Sequence, residues 1–210
     1  MQNKRVEDIL NQLENHYPQA QTALNYSDAF QLLIAVVLSA RSTDDQVNKI
    51  TPRLFSRFGD VHRMAAATPE EVGELIKSCG LYKNKSRNLV QMAQYLIKYY
   101  NGNIPDQAEE LMKLPGVGKK TANVVVSTVF NQPAIAVDTH VYRVSRRLEL
   151  AQGSSVEEVE KELMAIIPRH LWTATHHRLI FHGRSLCLSQ RPRCSNCFLQ
   201  NLCPSTINKG

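Results

Sequence analysis

No unbroken apolar run in this chain of 210 residues is longer than the seven from Leu32 to Leu38. A membrane-spanning helix needs about 20, so that class is set aside. The opening segment, Met1-Gln2-Asn3-Lys4-Arg5 leading into Val6-Glu7-Asp8, has no apolar stretch of the secretory-signal kind. A cytoplasmic protein with no membrane partner is expected, nucleoid-associated if bacterial. No segment alternates apolar and polar residues long enough to suggest a strand. Acids are outnumbered, 19 against 25 lysines and arginines; the net charge of +6 favours an anionic partner. A hydrophobic content of 43% excludes a disordered, solvating chain. A chain of this length buries roughly 70% of its unfolded surface and folds without a covalent staple.

Helical signals fill the chain, and the expected fold class is all-α. Ala29, Leu32, Leu33, Val36 and Val37 recur at helical spacing. Thr68-Pro69-Glu70-Glu71 and Ser155-Val156-Glu157-Glu158 both read as capping boxes, the first with proline at the opening helical position. Asp138 precedes a stripe of Val141, Val144 and Leu148 and is an N-cap by type and position. Breaks at Asn101 to Asp106, Asn131 to Pro133, Ala151 to Ser154 and Pro168 are too short to be flexible linkers. Lys77 to Lys83 echoes Lys113 to Lys119, with Lys, Gly and Lys matching at an offset of 36.

Two local features carry chemistry. Leu114-Pro115-Gly116-Val117-Gly118 joins a short apolar helix to a longer one striped by Ala122, Val125, Val126 and Val129. Its glycines permit φ > 0 and leave backbone amides uncovered at a helix N-terminus, where an anion is favoured. Lys119 and Lys120 follow at once, against the helix dipole, an arrangement that a bound phosphate turns favourable for Lys119. The second feature is a cysteine array. Of five cysteines, Cys187, Cys194, Cys197 and Cys203 fall within 17 residues; Cys79 stands apart. In a reducing compartment that cluster reads as a metal site. The spacing holds one Cys-x2-Cys pair where zinc sites normally use two, and it also fits an iron–sulfur cluster. From His176 to Cys203 there are four arginines and no acid, with Arg191 and Arg193 inside the array, so the loop is a candidate phosphate grip.

The string Leu114-Pro-Gly-Val-Gly-Lys-Lys-Thr-Ala122 resembles the helix–hairpin–helix of DNA repair glycosylases. With Ala136-Val-Asp-Thr-His-Val141, His176-His177, His182-Gly-Arg184 and the cysteine array, the resemblance extends over nearly the whole chain. It is to the endonuclease III family of bifunctional DNA glycosylases and abasic-site lyases. That likeness implies a two-lobed all-α fold with a C-terminal iron–sulfur loop. Residues 22–132 would form a six-helix domain with the hairpin at about 107–130. Residues 1–21 plus 133–210 would form the cluster domain, with damaged double-stranded DNA in the cleft between and the protein a monomer.

The resemblance assigns catalysis to Lys120 and Asp138 and a [4Fe-4S] cluster to the four cysteines. The chemistry accounts for those residue types: a neutral amine attacks the sugar C1′ to form an iminium, and a carboxylate accepts the amine proton and stabilises the cationic sugar. Expected DNA contacts are Gly116, Val117, Gly118, Lys119, Arg191 and Arg193 on phosphates, with Arg41 and Leu81 filling the gap left by a flipped base. The family usually carries glutamine at Arg41, a departure that bears on the preferred opposite base. His140, His176, His177 and His182 are expected to be structural. A non-catalytic DNA-binding module with a structural zinc, or a monofunctional glycosylase, are the competing readings.

Overall fold

The computed structural model describes residues 2–207. Twelve α-helices and short 3-10 turns, with no strand, make up the described residues, as the sequence pattern predicts. The chain divides into two units. Residues 23–132 form one; residues 1–22 and 133–210 form the other.

The 23–132 unit is built around α2 (Ala29–Ser39), whose residues from Leu32 to Leu38 are all buried. A helix apolar on every side has to be surrounded, and α2 is enclosed by α3 (Asp44–Phe58), α6 (Tyr82–Tyr100) and α8 (Lys119–Val129). Two short helices, α4 (Val61–Ala66) and α5 (Pro69–Leu75), pack on α6. The capping box expected at Thr68 is formed, with Glu71 and Thr68 exchanging hydrogen bonds. Together with α7 (Ala108–Leu111) the unit has seven described helices, one more than the six expected, because α7 is a separate single turn. Leu114 does not extend it: it is buried in the turn beyond, its amide on the Leu111 carbonyl.

The other unit surrounds a core of Ile9, Leu13, Val141, Val144, Leu163 and Leu179. These come from α1 (Gln2–His16), α9 (Thr139–Arg147), α10 (Val156–Ile166) and α11 (Trp172–Ser185). The Ser155 capping box opens α10 as expected. After α11 the chain carries only 3-10 turns at Cys194–Asn196 and Gln200–Leu202 before the short α12 (Pro204–Ile207). Leu199 and Cys203 anchor this loop in the core. No described helix is long and apolar enough to cross a membrane.

Candidate DNA-binding and catalytic residues

The hairpin sits where the sequence places it, between α7 and α8. Gly116 has φ +81°, and a Cβ there would lie 2.8 Å from the Asn88 amide nitrogen, so both conformation and space require glycine. Gly118 is different. It is the extended N-cap of α8, with open space where a side chain would stand. No side chain caps α8 and its first turn holds no acid. Gly116, Gly118, Lys119 and Lys120 are all exposed. Val117 departs from expectation: its side chain is buried and its amide donates to the Leu114 carbonyl at 3.1 Å, so it shapes the turn and has no free amide for an anion.

Arg41 and Leu81 are brought together. Both are non-glycine residues in the left-handed region, at φ +61° and +59°, and both are exposed, Leu81 by 56%. Gly80 lies against the first of them: a Cβ on Gly80 would sit 3.1 Å from the Arg41 carbonyl oxygen. The echoed segments 77–83 and 113–119 each join a short helix to a longer one. Their left-handed residue falls at different places, Leu81 at the N-cap of α6 and Gly116 two residues before the N-cap of α8, so the turns are not copies.

Asp138 caps α9. Its Oδ1 accepts from the amides of His140 and Val141, both at 2.8 Å, and the half-buried carboxylate keeps Oδ2 outside the cap. The capping role read from the sequence is therefore real and engages one oxygen.

The four clustered cysteines line one cavity of about 250 Å³, shared with Arg147, His182 and Arg193. Among the described residues no three His, Cys, Asp or Glu side chains are arranged to hold a single metal ion. Burial, with the neighbouring Cys187, Cys203 and Cys194 adding to it, pushes the Cys197 thiol up. Two side chains reach sulfur: Arg147 Nη1 donates to Cys187 Sγ at 3.4 Å, and His182 Nε2 lies 3.6 Å from Cys197 Sγ. Arg147 also grips the loop backbone, donating to the carbonyls of Leu188 at 2.6 Å and Ser189 at 3.0 Å. Arg191 and Arg193 are exposed between the cysteines, Arg191 at φ +49°.

Residues 34–169 match the model of the HhH-GPD superfamily of base excision DNA repair proteins. The endonuclease III of Bacillus subtilis is 48% identical over 201 residues, 95% of this chain and 92% of that protein. The endonuclease III of Escherichia coli K12 is 44% identical over 200 residues, 95% and 94% of the two chains. This chain belongs to the endonuclease III family. The activity of that family, DNA glycosylase with abasic-site lyase in base excision repair, is its activity. Among solved structures, a trapped endonuclease III–DNA covalent intermediate with an estranged adenine superposes with a TM-score of 0.94 at 48% identity, over 100% of this chain and 99% of that one. A non-covalent endonuclease III–DNA complex gives 0.94 at 49%, over 100% and 98%. A thermostable thymine-DNA glycosylase, at 22% identity and a TM-score of 0.87, shares the fold.

Three of the histidines expected to be structural are held within the fold. His140 Nδ1 receives Arg143 Nη2 at 3.2 Å, and burial lowers its pKa, with Asp138 opposing. His182 is buried between Tyr17 and Cys197. His177 is 8% exposed, and burial pushes its pKa down to about 4 from 6.5. The unfolded chain takes up this proton near pH 6.5 and the folded chain only near 4. The folded state binds fewer protons between those values and loses stability as pH falls through them. This one group is expected to account for about 2 to 3 kcal/mol between pH 7 and 4.5. Urea unfolding at the two pH values should show His177→Gln with a flatter dependence; parallel curves would discount the group. Sequence reasoning missed Arg147 and Lys85. Both act through contacts some 40 residues away in sequence, 40 from Arg147 to Cys187 and 47 from Lys85 to Leu38, which no local pattern records.

Proposed function

We propose that this enzyme removes oxidised pyrimidines from duplex DNA through a Schiff base on Lys120 and then nicks the abasic site by β-elimination. One observation carries the reading: Lys120 stands exposed in the first turn of the hairpin helix, in a chain 48% identical to a protein captured covalently on DNA. The Lys120 amine attacks C1′ of a flipped nucleotide, and the base departs with the glycosidic electron pair. Opening of the sugar ring leaves an iminium that acidifies the C2′ proton. Loss of that proton expels the 3′ phosphate, and hydrolysis of the imine returns the lysine. Water is removed from Lys120 by the duplex that covers it. Asp138 receives the amine proton and stabilises the cationic sugar through Oδ2, the oxygen its cap leaves available.

Gly116, Gly118 and Lys119 hold one backbone phosphate, Arg191 and Arg193 another, while Arg41 and Leu81 occupy the gap in the base stack. The cysteine cavity suits a [4Fe-4S] cluster: four sulfur donors line a space of about 250 Å³, and the Arg147 guanidinium donates to one of those sulfurs. When bound, the cluster supplies a cross-link that fixes the loop. The protein acts as a cytoplasmic monomer on chromosomal DNA.

Borohydride added during incubation with an abasic duplex is expected to freeze the iminium as a covalent protein–DNA adduct. No adduct from folded, iron-loaded protein would return the chain to a non-catalytic DNA-binding module. Asp138 can be separated from its cap. Asn caps as well as Asp, so Asp138→Asn is expected to lower the excision rate by about 10²–10⁴-fold with stability unchanged. Asp138→Ala adds a stability loss of about 1 kcal/mol. Full activity in the Asn variant would leave Asp138 with the cap alone.

A further inference from the structure

Lys85 lies in the first turn of α6, opposite in sign to what a helix N-terminus favours, and it is only 6% exposed. Its ammonium has three donors and all are directed at the end of α2 and the turn after it: the Leu38 carbonyl at 2.8 Å, the Ala40 carbonyl at 2.6 Å and the Ser42 hydroxyl at 3.5 Å. The carbonyls belong to the last residues of α2 and its cap, groups a helix leaves without internal partners. Among the described residues no carboxylate is hydrogen-bonded to this ammonium or shifts its pKa. Burial accordingly holds the Lys85 ammonium below its ordinary pKa, with the Cys79 thiol opposing. A buried cation that an apolar side chain of similar length could replace is an expensive way to fill a core. What it fixes is therefore informative.

Between the gripped residues Ala40 and Ser42 stands Arg41, the exposed residue at φ +61°. Four residues before Lys85 stands Leu81, exposed by 56% at φ +59°. Left-handed backbone at an arginine and a leucine persists only where the surroundings over-determine it, and such residues gather at functional positions. Lys85 ties both turns, its side chain holding the first and its backbone amide donating to the Leu81 carbonyl at 3.0 Å. Gly80 lies against Arg41, where an added Cβ would sit 3.1 Å from the Arg41 carbonyl oxygen, and Gln46 Nε2 on Ser78 Oγ at 2.7 Å adds a second tie.

We propose that Lys85 is a positioning residue that locks the 38–42 turn against the 78–82 turn, so that Arg41 and Leu81 enter the DNA base stack as one rigid two-pronged wedge. This rests on the DNA reading above and deepens it. Opening a stack requires the wedge to hold its shape against the bases it separates, so two prongs on independently mobile turns would yield before the bases did. The wedge is needed only where an opposite strand must be unstacked; an abasic site in single-stranded DNA presents no such demand.

The test compares wild type, Lys85→Met and Gly80→Ala on two substrates, an abasic duplex and the same abasic strand alone. A duplex with 2-aminopurine opposite the lesion reports unstacking by fluorescence. Both variants are expected to lose about tenfold or more in kcat/KM on the duplex, carried by KM, and to stay within about twofold on the single strand. The fluorescence rise expected on wild-type binding should be lost with them. Gly80→Ala disturbs the same junction without touching the buried cation, so it decides the matter if Lys85→Met does not fold. A duplex-to-single-strand ratio equal to that of wild type, or equal losses on both substrates, would overturn the proposal. Wild-type failure to form a borohydride adduct would instead overturn the reading beneath it.

Discussion

Lys120→Ala is expected to abolish the borohydride adduct on abasic duplex DNA while leaving the protein folded and bound to that DNA. The structure makes this a clean substitution. Lys120 is exposed in the first turn of α8, and alanine is the best helix former, so no packing is removed and helix stability does not fall. Removing a cation from a first turn that holds no acid should, if anything, stabilise the helix slightly. Chemistry and stability therefore move in different directions, which a merely structural lysine would not allow. Lys119→Ala is the matched control, one position away and equally exposed: it is expected to keep the adduct and to lower the salt dependence of binding by about one unit of slope. An adduct that survives Lys120→Ala and disappears in Lys119→Ala would exchange their roles. Adducts surviving both would place the nucleophile elsewhere in the chain.

The parts of this molecule that were legible in the sequence are those specified by neighbours along the chain. The capping boxes at Thr68 and Ser155, the Asp138 cap, the buried stripe of α2 and the glycine hairpin are each written within a few residues, and each is found. Val117 shows the limit of that reading. Flanked by two glycines it looks like a backbone donor, but its apolar side chain turns inward and carries its amide into the turn. The division of labour between the glycines was equally invisible: Gly116 needs its left-handed backbone and lies against Asn88, whereas Gly118 is ordinary extended chain. Lys85 was the largest omission. In the string Tyr82-Lys83-Asn84-Lys85-Ser86 it is one polar residue among several, and only the α2–α6 packing shows that its neighbour Lys83 is exposed while it is buried.

Cys194→Ser is expected to strip iron and sulfide from the protein and to lower its Tm by about 10 °C, the shift that roughly 3 kcal/mol produces in a protein of this size. The loop from Leu186 to Cys203 has little of its own to hold it. Its regular structure is two three-residue 3-10 turns, and it is fastened largely by groups outside it: Arg147 on two carbonyls, Arg143 on the Cys187 carbonyl at 3.1 Å, Arg5 on the Leu202 carbonyl at 3.2 Å and His16 stacked on Phe198, with Leu199 and Cys203 in the core. Burial pushes the Cys197 thiol up, with the neighbouring cysteines adding to it, and a bound cationic cluster core would offset both by taking the thiolates as ligands. Loss of the cluster should free Arg191 and Arg193 together, lowering the salt slope of DNA binding by about two units. Arg191→Ala with Arg193→Ala is expected to lower the slope equally but to keep iron, sulfide and Tm, since both side chains are exposed. The pair of results separates holding the loop from using it. Zinc without sulfide in anaerobically purified wild type would replace the cluster with a single ion. An unchanged slope in Cys194→Ser would detach the cysteines from DNA binding altogether.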